Sequence, residues 1–236
     1  MKKTHIGMII TVAMSVGVGG FFMLEQLNLF GGKTMEFTNE KIRLPKPNFN
    51  SNTSVEQALL KRRSVRVYKY ESLRLNELSQ LLWAAQGITD QRGFRTAPSA
   101  GALYPLELYV VAGNVDDLPD GIYKYNPHKH ELVMVIKGDK RVEVCKAAFS
   151  QPSIKNAPAA IVFSAVYERT TRRYGERGIR YVHMEVGHAA QNIHLQAVSL
   201  NLGVVMIGAF DDEEVKKIMN MGNKEKPLYI IPVGRV

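Results

Sequence analysis

A single cysteine, Cys145, stands among 236 residues, so no disulfide can close within the chain and cysteine usage does not identify its compartment. Aromatic residues are sparse at 8%. The two dense basic stretches, Lys61 to Arg66 and Arg169 to Arg180, lack the interleaved aromatics of a single-strand platform, so no nucleic-acid partner is expected. There is no nucleophile elbow, Walker loop or dinucleotide GxGxxG. His183, His188 and His194 fall at spacings that do not share one helix face, which argues against a metal site. Neither an internal repeat nor a low-complexity tract is present.

The 45% of hydrophobic residues suffice for one well-cored domain, and the net charge of +9 suits an anionic partner. Lys2 and Lys3 precede Ile6 to Leu24, a run without a charged side chain that is long enough to cross a bilayer as a helix. Signal peptide and membrane anchor are the two readings. The run ends Gly19-Gly20-Phe21-Phe22-Met23-Leu24, without the small residues of a cleavage site, which favours the anchor. Lysines on the N-terminal side alone put Met1 in the cytoplasm and the following domain outside it; without insertion the protein would be cytoplasmic. Phe30 to Asn52, with Gly31-Gly32, Pro45 and Pro47, reads as a linker or extended arm. The chain thus divides into residues 1–30, a linker over 31–52, and a domain over 53–236.

Within the domain, Ser54-Val55-Glu56-Gln57 matches a capping box and starts a helix through Lys61. Leu75 to Gln86 has helical spacing, with Gly87 placed to end it. Leu106 to Val111 reads as a strand, and Ile122 to Tyr125 and Leu132 to Ile136 as a hairpin around Asn126-Pro127. Val142 to Phe149 is helical and Ala159 to Val166 is a buried strand. Tyr181 to Asn201 is the longest helix, with Val186, Ala189, Ala190, Ile193, Ala197 and Leu200 on one stripe and Gly203 as its stop. Val204 to Ile207 and Leu228 to Val233 are strands, separated by a helix after Asp211. The pattern is α+β.

Two segments carry chemistry. Arg62-Arg63-Ser64-Val65-Arg66 sets three guanidinium groups within five residues, an arrangement that can hold a phosphate from several directions. Pro98-Ser99-Ala100-Gly101-Ala102-Leu103-Tyr104-Pro105 is a loop of small residues whose backbone a flat ligand can approach closely. Together they describe a mononucleotide site, phosphate at one end and planar ring at the other.

These segments, with Glu185-Val186-Gly187-His188-Ala189-Ala190-Gln191-Asn192 and Pro232-Val233-Gly234-Arg235, resemble the nitroreductase superfamily of FMN enzymes. Within it the chain is similar to the SagB-type dehydrogenase branch, from about Thr53 to Val236. The resemblance implies a three-layer nitroreductase-like fold assembled as an intertwined homodimer, with FMN at the subunit interface and NAD(P)H as a possible electron donor. It assigns Arg62, Arg63, Ser64 and Arg66 to the phosphate and the pyrimidine edge of the ring. Pro98, Ser99, Ala100, Gly101, Ala102 and Leu103 would lie along the ring, Met206, Ile207, Gly208 and Ala209 would line it, and Gly234 with Arg235 would close the phosphate site. Gln191 and Asn192 are better read as satisfying backbone groups beside the dimer seam.

Azoline-oxidising members of the branch use a Lys-Tyr pair for proton handling. This chain has Arg173 before Tyr174 and Arg180 before Tyr181. Arginine stays protonated and cannot act as a base, so the departure leaves azoline oxidation open while hydride transfer through the flavin stands as the expectation. Tyr174 and Tyr181 remain candidate acids, and Arg180 either holds an anionic substrate or pairs with Glu176 or Glu185. The implied function is two-electron hydride transfer to a small-molecule or peptide-derived substrate. The alternative is a low-turnover flavin-binding partner in a multi-protein peptide-maturation complex.

Overall fold

The computed structural model describes residues 40–236. The charge-free run Ile6 to Leu24, with the anchor and localisation expected from it, lies outside the described residues; among those described, no helix is long and apolar enough to cross a membrane.

The described residues begin with strand β1 (Lys41–Arg43) and helices α1 (Val55–Lys61) and α2 (Leu75–Gln86). Strands β2 (Leu106–Ala112), β3 (Gly121–Asn126) and β4 (Glu131–Lys137) follow, then α3 (Arg141–Ala147), α4 (Pro152–Asn156) and β5 (Ala159–Val166). Helices α5 (Glu168–Tyr174) and α6 (Arg177–Ser199) lead to β6 (Leu202–Val204), α7 (Asp212–Ile218) and β7 (Glu225–Arg235). The seven strands form one sheet in the order β1-β4-β3-β2-β5-β7-β6, with antiparallel pairings throughout.

Alternation along the central strands sorts their side chains to two faces. Leu108 and Val110 of β2 and Ile161 and Phe163 of β5 join Leu78, Leu81 and Leu82 of α2 and Val186, Ala189 and Ile193 of α6 in one core. Tyr109, Val111, Ala160 and Val162 point the other way, into a second core with Val144 of α3, Ile154 of α4 and Val215 of α7. Helices therefore cover both faces, giving the three layers expected. Each buried leucine on α2 contributes ~1.5–3 kcal/mol relative to exposure.

Local signals set several helix ends. The Ser54 hydroxyl accepts from the Gln57 N–H at 3.2 Å, and the Asp211 carboxylate accepts from the Glu214 N–H at 2.9 Å. Glu77 closes a capping box on α2, accepting from the Arg74 N–H at 3.0 Å.

Four readings change. Part of the expected linker is the sheet edge: β1 pairs with β4, and Leu44 is buried. The longest helix begins at Arg177 rather than Tyr181, and it ends before Asn201, whose φ of 56° terminates it; Gly203 lies in β6 instead. Glu168 to Tyr174 forms α5, so the Arg-Tyr stretch is the corner between two helices. The apolar stripe of α6 is covered inside the subunit by α2 and the sheet, so it supplies no argument for a dimer.

Candidate functional site

Helix α6 reaches both predicted ligand segments. The ring nitrogen Nε2 of His194 lies 3.0 Å from the Arg63 carbonyl, and burial holds this imidazole below its ordinary value, so it is the neutral ring that donates. Val65 donates its N–H to the Val204 carbonyl at 2.9 Å, and Ser64 bridges to Val204 in parallel. The arginine segment is thereby tied to β6, immediately before Met206 to Ala209. Arg63, Ser64 and Arg66 are exposed and Arg62 is half-buried. None of the three arginines has a carboxylate partner among the described residues.

The small-residue loop is held by its own side chains and by α6. The Ser99 hydroxyl accepts from the Tyr104 N–H at 2.9 Å, and the Asn192 amide nitrogen reaches the Thr96 carbonyl at 3.4 Å. Asn192 thus serves backbone, as expected, while Gln191 is exposed. Ala100–Ala102 forms a 3₁₀ turn in which Gly101 (φ 63°) and Ala102 (φ 54°) are left-handed, followed by Tyr104 at φ 46°. Pro98, Gly101 and Ala102 are exposed, and Ser99, Ala100 and Leu103 are half-buried.

Gly101 has a structural requirement of its own. A Cβ there would stand 2.8 Å from the Tyr174 hydroxyl and 3.0 Å from Nη1 of Arg173. Tyr174 packs edge-on against Tyr181, with centroids 5.1 Å apart. The two candidate acids and the small-residue loop, distant in sequence, are therefore brought together. Arg180 is exposed and pairs with neither Glu176 nor Glu185.

Of the second lining segment, Ile207 is buried and exchanges backbone hydrogen bonds with Ile230, both at 2.9 Å. Met206 is half-buried, whereas Gly208 and Ala209 are exposed. Gly234 lies under Tyr68, whose Cγ would be 2.8 Å from a Cβ at that position. Arg235 is engaged elsewhere than expected: its guanidinium makes two 2.9 Å hydrogen bonds to Glu77. Burial alone would raise the Glu77 carboxyl, but hydrogen bonds from Arg74 and Arg235 hold it below the usual carboxylate range.

Two further residues were not anticipated. Glu185 is 3% exposed and its Oε1 has no hydrogen-bond partner among the described residues. Burial pushes its carboxyl up to about 7, against the smaller opposing effects of a Ser99 hydrogen bond and the Arg95 charge. Arg95 stacks on Tyr104, with Cζ 4.5 Å from the ring centroid. The signal for Glu185 was present in the sequence, because it falls on the apolar stripe of α6 between Val182 and Ala189.

The residues fit a phosphate-bearing planar group in two respects. Three arginines within five residues have no carboxylate partner among the described residues, although Nη1 of Arg63 donates to the Leu60 and Arg62 carbonyls, and an exposed small-residue loop lies beside two tyrosines. Glu185, near the loop, and His194, under the arginine segment, are ~14 Å apart along α6 at 1.5 Å per residue. In the third respect, the Arg235 head group is held by Glu77 rather than turned to that segment.

An antiparallel sheet with helices on both faces defines a protein of the α+β class. Residues 59–235 match the sequence profile of the Nitroreductase family. This chain belongs to the nitroreductase family, and with it to the oxidoreductases of that family. It is 52% identical over 181 residues to the nitroreductase-type protein MJ1384 of Methanocaldococcus jannaschii, spanning 77% of this chain and 90% of that one. It is 27% identical to the Microcin B17-processing protein McbC of Escherichia coli, over 60% of this chain and 54% of McbC. Among solved structures, a nitroreductase-type chain from Ralstonia eutropha aligns with a TM-score of 0.73 and 28% identity, over 87% of this chain and 96% of that one. The Escherichia coli microcin synthetase McbBCD complex, with truncated pro-MccB17 bound, contains a chain that aligns with a TM-score of 0.64 and 25% identity, over 82% of this chain and 77% of that one.

Proposed function

We propose that this protein is a homodimeric, FMN-dependent oxidoreductase that moves a hydride between a donor such as NAD(P)H and a small-molecule or peptide-derived acceptor. The observation that carries the reading is the segment of Arg62, Arg63 and Arg66, without a carboxylate partner among the described residues and tied to α6 through His194. When bound, FMN supplies a ring that takes up and returns two electrons as a hydride.

The chain's own residues do the rest. Arg62, Arg63, Ser64 and Arg66 neutralise and orient the phosphate. Pro98 to Leu103 and Met206 to Ala209 bound the ring, with a donor from the exposed backbone at Gly101, since the Ala102 N–H already donates to the Ser99 carbonyl at 3.0 Å. Tyr174, beside Gly101 and braced by Tyr181, is placed to give a proton to the acceptor, and Arg180 is free to hold an anionic acceptor. Exposed Val55, Leu59 and Leu60 on α1 and Ile179 and Met184 on α6 support burial against a second copy.

FMN should raise the melting temperature in proportion to the logarithm of its free concentration above saturation. Arg62→Ala is expected to weaken binding by about tenfold or more, the loss of a charge-assisted hydrogen bond, while leaving the protein folded. An unchanged affinity would place the phosphate elsewhere. A second reading, a low-turnover partner in a peptide-maturation complex, is favoured by the likeness to the Microcin B17-processing protein McbC and to a chain of the McbBCD complex. Turnover with a donor and acceptor by the isolated protein would separate the two.

A further inference from the structure

Strands β2 and β3 part company halfway along. Their ladder runs from Ala112–Gly121 to Tyr109–Lys124 and stops there, although β2 continues to Leu106 against β5 and β3 continues to Asn126 against β4. The divergence opens a cavity of about 660 Å³ lined by Gln86, Arg95, Glu107, Lys124, His128 and Arg169 among others.

The charges around it do not balance. Lys124 is paired with Glu107 and Glu225, and Arg169 with Glu107. Arg95 has no ion pair among the described residues; its one side-chain hydrogen bond goes from Nη1 to the neutral Gln86 amide oxygen at 2.7 Å. Its Nε and the Gln86 Nε2 are buried donors without partners. Burial depresses the Arg95 guanidinium, with Glu107 and Glu185 too distant to pair with it. A desolvated cation flanked by orphan donors is costly, and an oxyanion offsets that cost. Arginine's planar fork is the side chain best matched to one.

We propose that the cleft between β2 and β3 binds a small anionic ligand, a carboxylate or a phosphate ester, whose oxyanion is held by Arg95. Arg95 covers the ring of Tyr104, whose N–H is held by Ser99. The site is made of residues separate from the arginine clamp and does not depend on the FMN reading.

The test is the melting temperature of the full chain with excess FMN, in sodium succinate and in sodium phosphate, each against sodium chloride of equal ionic strength. At least one oxyanion should raise it with the logarithm of concentration. A response to succinate alone identifies a carboxylate ligand, and to phosphate alone a phosphate ester. Arg95→Met, which keeps the packing of the stem, should abolish the rise and melt no lower than the unsubstituted protein in chloride. Arg62→Ala should retain it. Should Arg95→Met fail to fold, Arg95→Lys should need about tenfold more anion for the same rise. The proposal is overturned if neither anion acts beyond chloride, if the rise survives Arg95→Met or is unchanged in Arg95→Lys, or if it vanishes with Arg62→Ala.

Discussion

At Glu185 the cost of burying a carboxylate exceeds what its neighbours return. Its carboxyl is pushed up to about 7 by burial, while the unfolded chain titrates near 4.5. The folded state therefore holds the proton over a pH range in which the unfolded state has lost it. Stability from this group is complete below about pH 4.5 and declines as pH rises toward about 7, by ~3 kcal/mol in all. Glu185→Gln, which carries no ionisable proton, should remove that decline. Denaturant unfolding of both proteins across this range measures it, and parallel pH profiles would contradict the assignment. A residue of this kind is legible in sequence only as a charge on an apolar stripe. Burial neutralises it, and Ser99 and Arg95, which the fold brings from another segment, limit how far.

The elements that were legible are those whose signal is local. α2 and β5 occupy the spans read from periodicity, Leu75–Gln86 and Ala159–Val166, because each buries a face that repeats at its own period. The elements that escaped are short and polar or draw their stability from afar. β1 is a strand only because Lys41 to Arg43 pair with Glu131 to Val133, and α5 has one buried residue, Thr170. The site divides the same way. The clamp and the loop are contiguous motifs and could be read; the Arg235–Glu77 pair and the seat of Tyr174 over Gly101 are long-range contacts and could not. The loop supplies a prediction at this scale. Gly101→Ala places a methyl group against the Tyr174 hydroxyl and asks alanine to keep φ 63°, at a cost of about 1–2 kcal/mol. Thermal melting should fall accordingly, and an unchanged or raised midpoint would mean that the turn is not held as described.

For the whole molecule, the apolar stripe of α6 is consumed within one subunit, so the proposed dimer would use other surface. The exposed apolar side chains of α1 and of the outer face of α6 are the available patch, rimmed by the arginine segment. We expect the full chain to sediment with membranes in high salt, through Ile6 to Leu24, and to have the mass of two chains after detergent extraction. Recovery in the soluble fraction would remove the anchor. A stable monomer loaded with FMN would remove the dimer.

The central claim is that the Arg62–Arg66 clamp and the Pro98–Leu103 loop together hold FMN, and the bound flavin reports on itself. The purified protein is predicted to be yellow, with a flavin absorption spectrum, and to release close to one FMN per chain on denaturation. A colourless protein that takes up no added FMN, as judged by an absorption spectrum identical to that of free flavin, would contradict it.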